Sequence, residues 1–126
     1  CFVAAHALLR GGVWLERDCT IGPGCEVKSS MLFAAVRLAH FNFVGDSLIG
    51  PEVNFEAGSV VANTRNEHGG TVNVRVGNRF HDTGVHKFGA VVGSRTRVGA
   101  NAVLAPGSIL AVGSVVERLA LIDQTR

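Results

Sequence analysis

Large apolar residues recur every six positions along much of this chain. Residues 92–115 divide into VGSRTR, VGANAV, LAPGSI and LAVGSV, and Val116 opens a fifth unit. The first position is aliphatic throughout (Val92, Val98, Leu104, Leu110), the second is Gly or Ala, and the fifth is small (Thr96, Ala102, Ser108, Ser114). Earlier, Leu9, Leu15, Ile21, Val27, Phe33 and Ala39 keep the same spacing. A second register, FVGDSL, IGPEVN and FEAGSV, is led by Phe43, Ile49 and Phe55 and runs into Val61. The step from Ala39 to Phe43 is four residues, so the rhythm slips inside AHFNFVGDSLIG, residues 39–50.

A period of six is neither the 3.6 of a helix nor the 2 of a half-buried strand. It suits a three-sided prism in which each hexad supplies a short strand and a corner. The large residue fills the interior, the small one sits close to the wall, and Gly or Asn at the corners accepts positive φ. Stacked coils then run as parallel strands about 4.8 Å apart. The expected fold is all-β: a left-handed parallel β-helix of hexapeptide repeats, an exception to right-handed crossovers. About five coils fit, on the order of 25 Å tall. The rhythm fails over residues 64–91. There TVNVRV alternates polar residues with valine and GN offers a two-residue turn, which predicts a hairpin of Thr71–Val76 with Arg79–His81 leaving the wall. Residues 117–126 are expected to form a short helix or to fray.

At 126 residues the chain is read as one domain, 1–126, with the insertion at 64–91 and a short tail. A net charge of +2, with ten scattered arginines and two lysines, argues for neither nucleic acid nor a membrane surface. No run of about 18 apolar residues predicts a membrane span, and no signal peptide is visible. The start at Cys1 suggests a fragment or a processed chain. Cys1, Cys19 and Cys25 form no disulfide framework. Cys19 and Cys25 fall at small-residue positions and read as buried thiols in a reducing, cytoplasmic compartment.

Chemistry is expected where the repeat departs from itself. His40 lies at the slip, and an imidazole with an ordinary pKa near 6.5 accepts a proton near neutral pH. Arg10 and Lys28 occupy second positions of their hexads, where they face outward and can bind phosphate. Asn54 and Asn63 are corner residues by pattern. His81 and His86 stand close enough in sequence to ligate zinc. The β-helix class includes gamma-class carbonic anhydrases, which use three histidines, but no third histidine is fixed here, and no metal ligand set is assigned.

AHFNFVGDSLIGPEVNFEAGSVVANTR resembles the C-terminal β-helix domain of bifunctional sugar-1-phosphate nucleotidyltransferase/acetyltransferases, whose pattern runs H-x-x-Y-[LV]-G-D, then V-N-[IL]-G-A-G, then N. The resemblance covers residue 10 to about residue 116. It implies a homotrimer with acetyl-CoA in the groove between prisms, and an N-acetyltransferase acting on an amino-sugar 1-phosphate. It implies His40 as the base, Arg10 and Lys28 at the sugar phosphate, Asn54 at the substrate, and Ala57, Asn63, Ser94 and Val112 along acetyl-CoA. The nucleotidyltransferase half of such enzymes is not in this sequence, so no nucleotide-sugar synthesis is expected. Three positions depart from the pattern: Phe43 and Thr64 stand where tyrosine is usual, and Glu56 replaces a glycine. Phe43 and Glu56 favour a second reading, a non-catalytic trimerisation or regulatory module. A zinc lyase is a third.

Overall fold

The computed structural model describes all residues, 1–126. The chain winds as a left-handed parallel β-helix with three walls. The first wall stacks β1 (Phe2–Val3), β4 (Thr20–Ile21), β7 (Arg37–Leu38), β10 (Asn54–Phe55), β15 (Arg97–Val98) and β18 (Val115–Val116). The second stacks β2 (Leu8–Arg10), β5 (Glu26–Lys28), β8 (Phe43–Gly45), β11 (Val60–Val61), β16 (Val103–Leu104) and β19 (Leu121–Ile122). The third stacks β3 (Trp14–Leu15), β6 (Met31–Leu32), β9 (Leu48–Ile49), β14 (Ala90–Val92) and β17 (Ser108–Leu110). Two walls are six strands high, one coil more than the repeat count suggested.

Alternation within each short strand separates the core from the surface. Ile21, Leu38, Phe55 and Val98 form the inward column of the first wall, and Val27, Val44, Val61 and Leu104 that of the second. All eight are at most 1% exposed and belong to one core cluster of 19 buried residues. Cys19 and Cys25 sit in that cluster, and burial pushes both thiols above their ordinary range.

The slip differs from the expected one. Leu32 and Leu38 point inward, not Phe33 and Ala39, and Val44 does so in place of Phe43. The repeat loses one residue between Val27 and Leu32 and another between Val44 and Ile49, both at the corner from the second wall to the third. Two deletions a coil apart look like one four-residue step when Phe33 and Phe43 are taken as interior because they are large. The tail also differs: Leu121–Ile122 adds to β16 as a sixth coil, neither a helix nor frayed.

The insertion leaves at that same corner. Its ends lie side by side, with Phe88 N–H donating to Asn63 O at 2.9 Å and Gly89 N–H to Asp46 O at 2.9 Å. Within it β12 (Asn73–Val76) pairs antiparallel with β13 (Arg79–Asp82) across Gly77–Asn78, where Gly77 has φ 61°. Arg65 ties the insertion to the last coil. Its guanidinium, only 10% exposed, donates to both Asp123 carboxylate oxygens (2.9 and 3.0 Å), to Pro106 O (3.0 Å) and to Thr125 Oγ1 (2.6 Å). Asp123 is held below the ordinary carboxylate range by this pairing.

Candidate functional site

His40 stands at the corner from the first wall to the second, just before Phe41, which takes the left-handed conformation at φ 52°. The histidine is exposed, and its ring has no hydrogen-bond partner in the chain. Its backbone is fixed from beneath by Asn42, which is 2% exposed. Asn42 Oδ1 accepts the His40 N–H at 3.2 Å, and its Nδ2 donates to Glu56 O (2.9 Å), Ser59 O (3.1 Å) and Ser59 Oγ (3.0 Å). A rigid corner thus carries a free imidazole.

Coil stacking brings Ala57 next to His40, since Gly58 N–H donates to His40 O at 2.9 Å. Ala100 and Arg118 continue the column: Asn101 N–H donates to Ala57 O (3.1 Å) and Leu119 N–H to Ala100 O (3.0 Å). The Ala57 N–H finds no acceptor in the chain. Glu56 does not lean toward His40. Its carboxylate accepts from the Ala100 N–H (3.1 Å) and from Arg118 (2.8 Å), and the guanidinium holds it below the ordinary carboxylate range.

A second group forms at the far edge of the second wall. Arg10 pairs in register with Lys28, and Lys28 with Gly45. Lys28 Nζ lies 3.0 Å from Asp46, whose other contact is Asn63 Nδ2 at 2.7 Å. Arg10 uses Nε on Glu26 at 2.7 Å, leaving the rest of its fork unpaired. The Phe43 ring lies over Gly45 beside Asn63: a Cβ added there would meet Phe43 Cζ at 2.8 Å and Asn63 Nδ2 at 2.7 Å. The wall separates this group from His40 by three residues of strand, on the order of 10 Å, with Phe43 between.

Other expected residues fall elsewhere. Asn54 faces outward on the first wall between Arg37 and Arg97. Ser94 and Val112 lie in adjacent coils at the corner from the third wall to the first, where Gly113 N–H donates to Ser94 O. They are therefore a wall's width from His40 and Ala57. His81 and His86 are exposed on the insertion, His86 Nδ1 lies 3.1 Å from Gly69 O, and no three His, Cys, Asp or Glu side chains stand together as a metal-binding group. Sequence reasoning gave no role to Asp46, which sits in the quoted motif, or to Asn42, Ala100 and Arg118. A search at one-coil spacing from His40 and Lys28 finds Ala57 and Asp46 directly. None of the chain's four surface concavities is lined by His40. No helix is long and apolar enough to cross a membrane.

No family model matches the chain. Curated relatives do. The bifunctional protein GlmU of Methanococcus vannielii is 31% identical over 124 residues, which are 98% of this chain and 29% of the relative. The bifunctional sugar-1-phosphate nucleotidylyltransferase/acetyltransferase of Sulfurisphaera tokodaii is 37% identical over 102 residues, 81% of this chain and 25% of the relative. The chain is a homologue of the bifunctional sugar-1-phosphate nucleotidylyltransferase/acetyltransferases. It spans between a quarter and a third of the length of these relatives. Among solved structures, the acetyltransferase domain of PglB from Neisseria gonorrhoeae superposes with a TM-score of 0.73 at 14% identity, over 96% of this chain and 48% of that one. AntD, an N-acyltransferase from Bacillus cereus solved with dTDP and coenzyme A, gives 0.69 at 14% identity, over 96% and 69%. At such identities these two establish the shared fold.

Proposed function

We propose that this chain is an acetyl-CoA-dependent N-acetyltransferase domain acting on an amino-sugar 1-phosphate. It works as a cytoplasmic homotrimer with its site between protomers. The observation that carries the reading is the unpartnered His40 imidazole on a corner locked by Asn42, next to the free N–H of Ala57.

A protonated amine cannot attack a thioester. His40 takes the proton as the amine nitrogen bonds to the acetyl carbon, and the carbon–sulfur bond breaks. The coenzyme A thiolate leaves and is protonated from the imidazolium. The Ala57 N–H is placed to donate to the oxygen that gains charge. Arg10 and Lys28, side by side in neighbouring strands, hold the sugar phosphate and so place the amine. The sugar lies over Phe43, which offers a ring face without a hydroxyl.

A single chain leaves this site open, because His40 borders no concavity of its own. A neighbouring prism supplies the missing wall. The outward apolar column of the third wall, with Trp14, Met31 and Leu48 at 45%, 41% and 44% exposed, gives the trimer a face to bury.

Thiol release from acetyl-CoA with glucosamine 1-phosphate or galactosamine 1-phosphate tests the reading. His40→Ala is expected to lower the rate at least about 100-fold; equal rates in both proteins overturn it. The second reading, a non-catalytic trimerisation module, draws on Lys28 being already neutralised by Asp46. It predicts a trimer without affinity for acetyl-CoA.

A further inference from the structure

The walls of the prism differ in what they show to the outside. The outward column of the first wall is polar from the second coil to the fifth, through Thr20, Arg37, Asn54 and Arg97. On the second wall the outward column is apolar above the Lys28 edge, through Phe43, Val60, Val103 and Leu121 in four successive strands. Val103 and Leu121 are 37% and 50% exposed, and Leu119, at the corner beside them, 78%. In a lone chain this stripe faces water.

The hairpin is uncovered as well. Residues 75–82 are exposed throughout. Cross-strand partners share a face, so Phe80 stands with Arg75, and Val76 with Arg79 on the opposite face. Phe80, 59% exposed, is the largest apolar side chain of the pair of strands. A two-stranded ribbon with nothing on either face is marginal in water. Its seat on its own prism is the Asn73 carbonyl over Gly107, in the same coil as Val103. From Asn73 the strand runs on about 10 Å, the spacing of two sheets packed face to face. In copies aligned in parallel, the hairpin of one therefore stands level with Val60, Val103 and Leu121 of the next. The charges are compatible with that contact. Arg75 and Arg79 have no carboxylate partner, and the ribbon's one carboxylate, Asp82, accepts the Gly84 N–H at 2.8 Å. The cations bordering the stripe, Lys28 and Arg118, are each paired with a carboxylate, whereas Glu117, exposed at the Leu119 corner, is in no ion pair.

We propose that the hairpin of each copy docks on the upper second wall of the next, with Phe80 seated on the Val60–Val103–Leu121 stripe. The two patches differ, so the contact is heterologous and closes as a ring. This rests on the trimer proposed above for the parallel alignment of the prisms, and it needs no acetyl transfer. The partner's ribbon then roofs the second wall one coil above Phe43.

Disulfide trapping in a Cys1→Ser background, which leaves only the buried Cys19 and Cys25, tests the contact. The double variant Phe80→Cys/Val103→Cys is expected to give covalent dimers and trimers under mild oxidation. Co-expressed single variants are expected to give the dimer, and each single variant alone none. Val76→Cys/Val103→Cys, with its thiol on the opposite hairpin face, is expected to stay uncrosslinked. By light scattering, Phe80→Asp and Val103→Asp should each raise the concentration at which the assembly dissociates at least about tenfold, while Arg37→Asp on the first wall leaves it unchanged. The proposal is overturned if the Phe80→Cys/Val103→Cys pair stays uncrosslinked in an intact oligomer, if Phe80→Cys alone crosslinks to itself, or if both aspartate variants assemble like wild type. A chain that crosslinks as expected but transfers no acetyl group keeps this contact and loses the acetyl-transfer reading. An active oligomer that fails to crosslink does the reverse, and a monomeric wild type overturns the contact together with the trimer.

Discussion

Replacing Asn42 with alanine is the sharpest probe of how the fold holds its candidate base. The carboxamide is 2% exposed and serves two coils at once. Without it Ser59 O loses its donor inside the prism, at about 1–3 kcal/mol. Glu56 O keeps the Ser59 hydroxyl at 2.8 Å, and the His40 N–H, on an exposed residue, turns to water, so neither adds much. The vacated volume adds about 1 kcal/mol. The expected loss is therefore about 3 kcal/mol, against a total of about 5–15 kcal/mol for a domain of this kind. Equilibrium urea unfolding measures it, with the midpoint shifting at constant slope.

Asn42→Asp refines the test, because it keeps the shape and removes both donors. Its carboxylate would face three oxygens, which raises its folded pKa. Such a group destabilises once ionised, so this variant is expected to gain stability as pH falls from 7 toward about 4. In both variants acetyl transfer should fall further than the folded fraction does, since a displaced base costs rate even in folded molecules. A loss below about 1 kcal/mol for Asn42→Ala, or unchanged transfer in either variant, refutes the idea that this side chain locks the His40 corner.

Three further outcomes follow from the same geometry. Asp123→Asn should lose about 2 kcal/mol at neutral pH, because the buried Arg65 guanidinium loses its two-oxygen partner and keeps Glu67, at 3.2 Å, as its remaining carboxylate. Because the folded carboxyl is held low, its contribution is present above about pH 4 and lost as pH falls through the folded value, so thermal melts of the variant should lack that acid dependence. Gly107→Ala should cost about 1–3 kcal/mol in urea unfolding, because φ is 87° and a Cβ there would strike Asn73 O, the hairpin's seat on the prism. Lys28→Met should raise the KM for the sugar phosphate tenfold or more with a smaller effect on kcat, whereas Asp46→Asn, which frees the same ammonium, should lower it.

The hexads from Val92 to Val116 made the prism legible because nothing interrupts them, and the GN turn in an alternating segment marked the hairpin correctly. The interior of the early coils was harder to read. Phe33 and Phe43 are larger than Leu32 and Val44, and size drew the inward column to the wrong residues. Yet a six-strand stack has room for only one large side chain per wall per coil; Phe55 takes such a place, whereas Phe33 and Phe43 lie outside the core. The corners misled in another way. Positive φ was expected of Gly and Asn, but Phe41, Ala35 and Leu119 adopt it too. The flanking ladders fix the backbone there, so the residue type does not announce the conformation. His40 and Asn63 were singled out by the motif that holds them, and Lys28 by its place in the hexad. Ser94 and Val112 fit the same resemblance but stand at a different corner, because motif matching fixes position along the chain and not around the prism.

In a solenoid the useful coordinate is position within the coil. Lys28 and Asp46 are 18 residues apart and in contact; Asp46 and Asn63 are 17 apart and in contact. One-residue shortening of a coil therefore re-aims a corner without breaking the ladder. Glu56 and Arg118 are 62 residues apart in sequence and two coils apart in space, because the insertion adds chain without adding height. A site on this fold is assembled by stacking: an imidazole, a free amide and two cations come from coils that each look like ordinary repeats. A side chain changed at one corner position reaches only the nearest coils, as Glu56 reaches Ala100 one coil away and Arg118 two coils away. Glu56 can therefore alter the corner at Ala100 and Arg118 while His40 keeps its own, which Asn42 fixes.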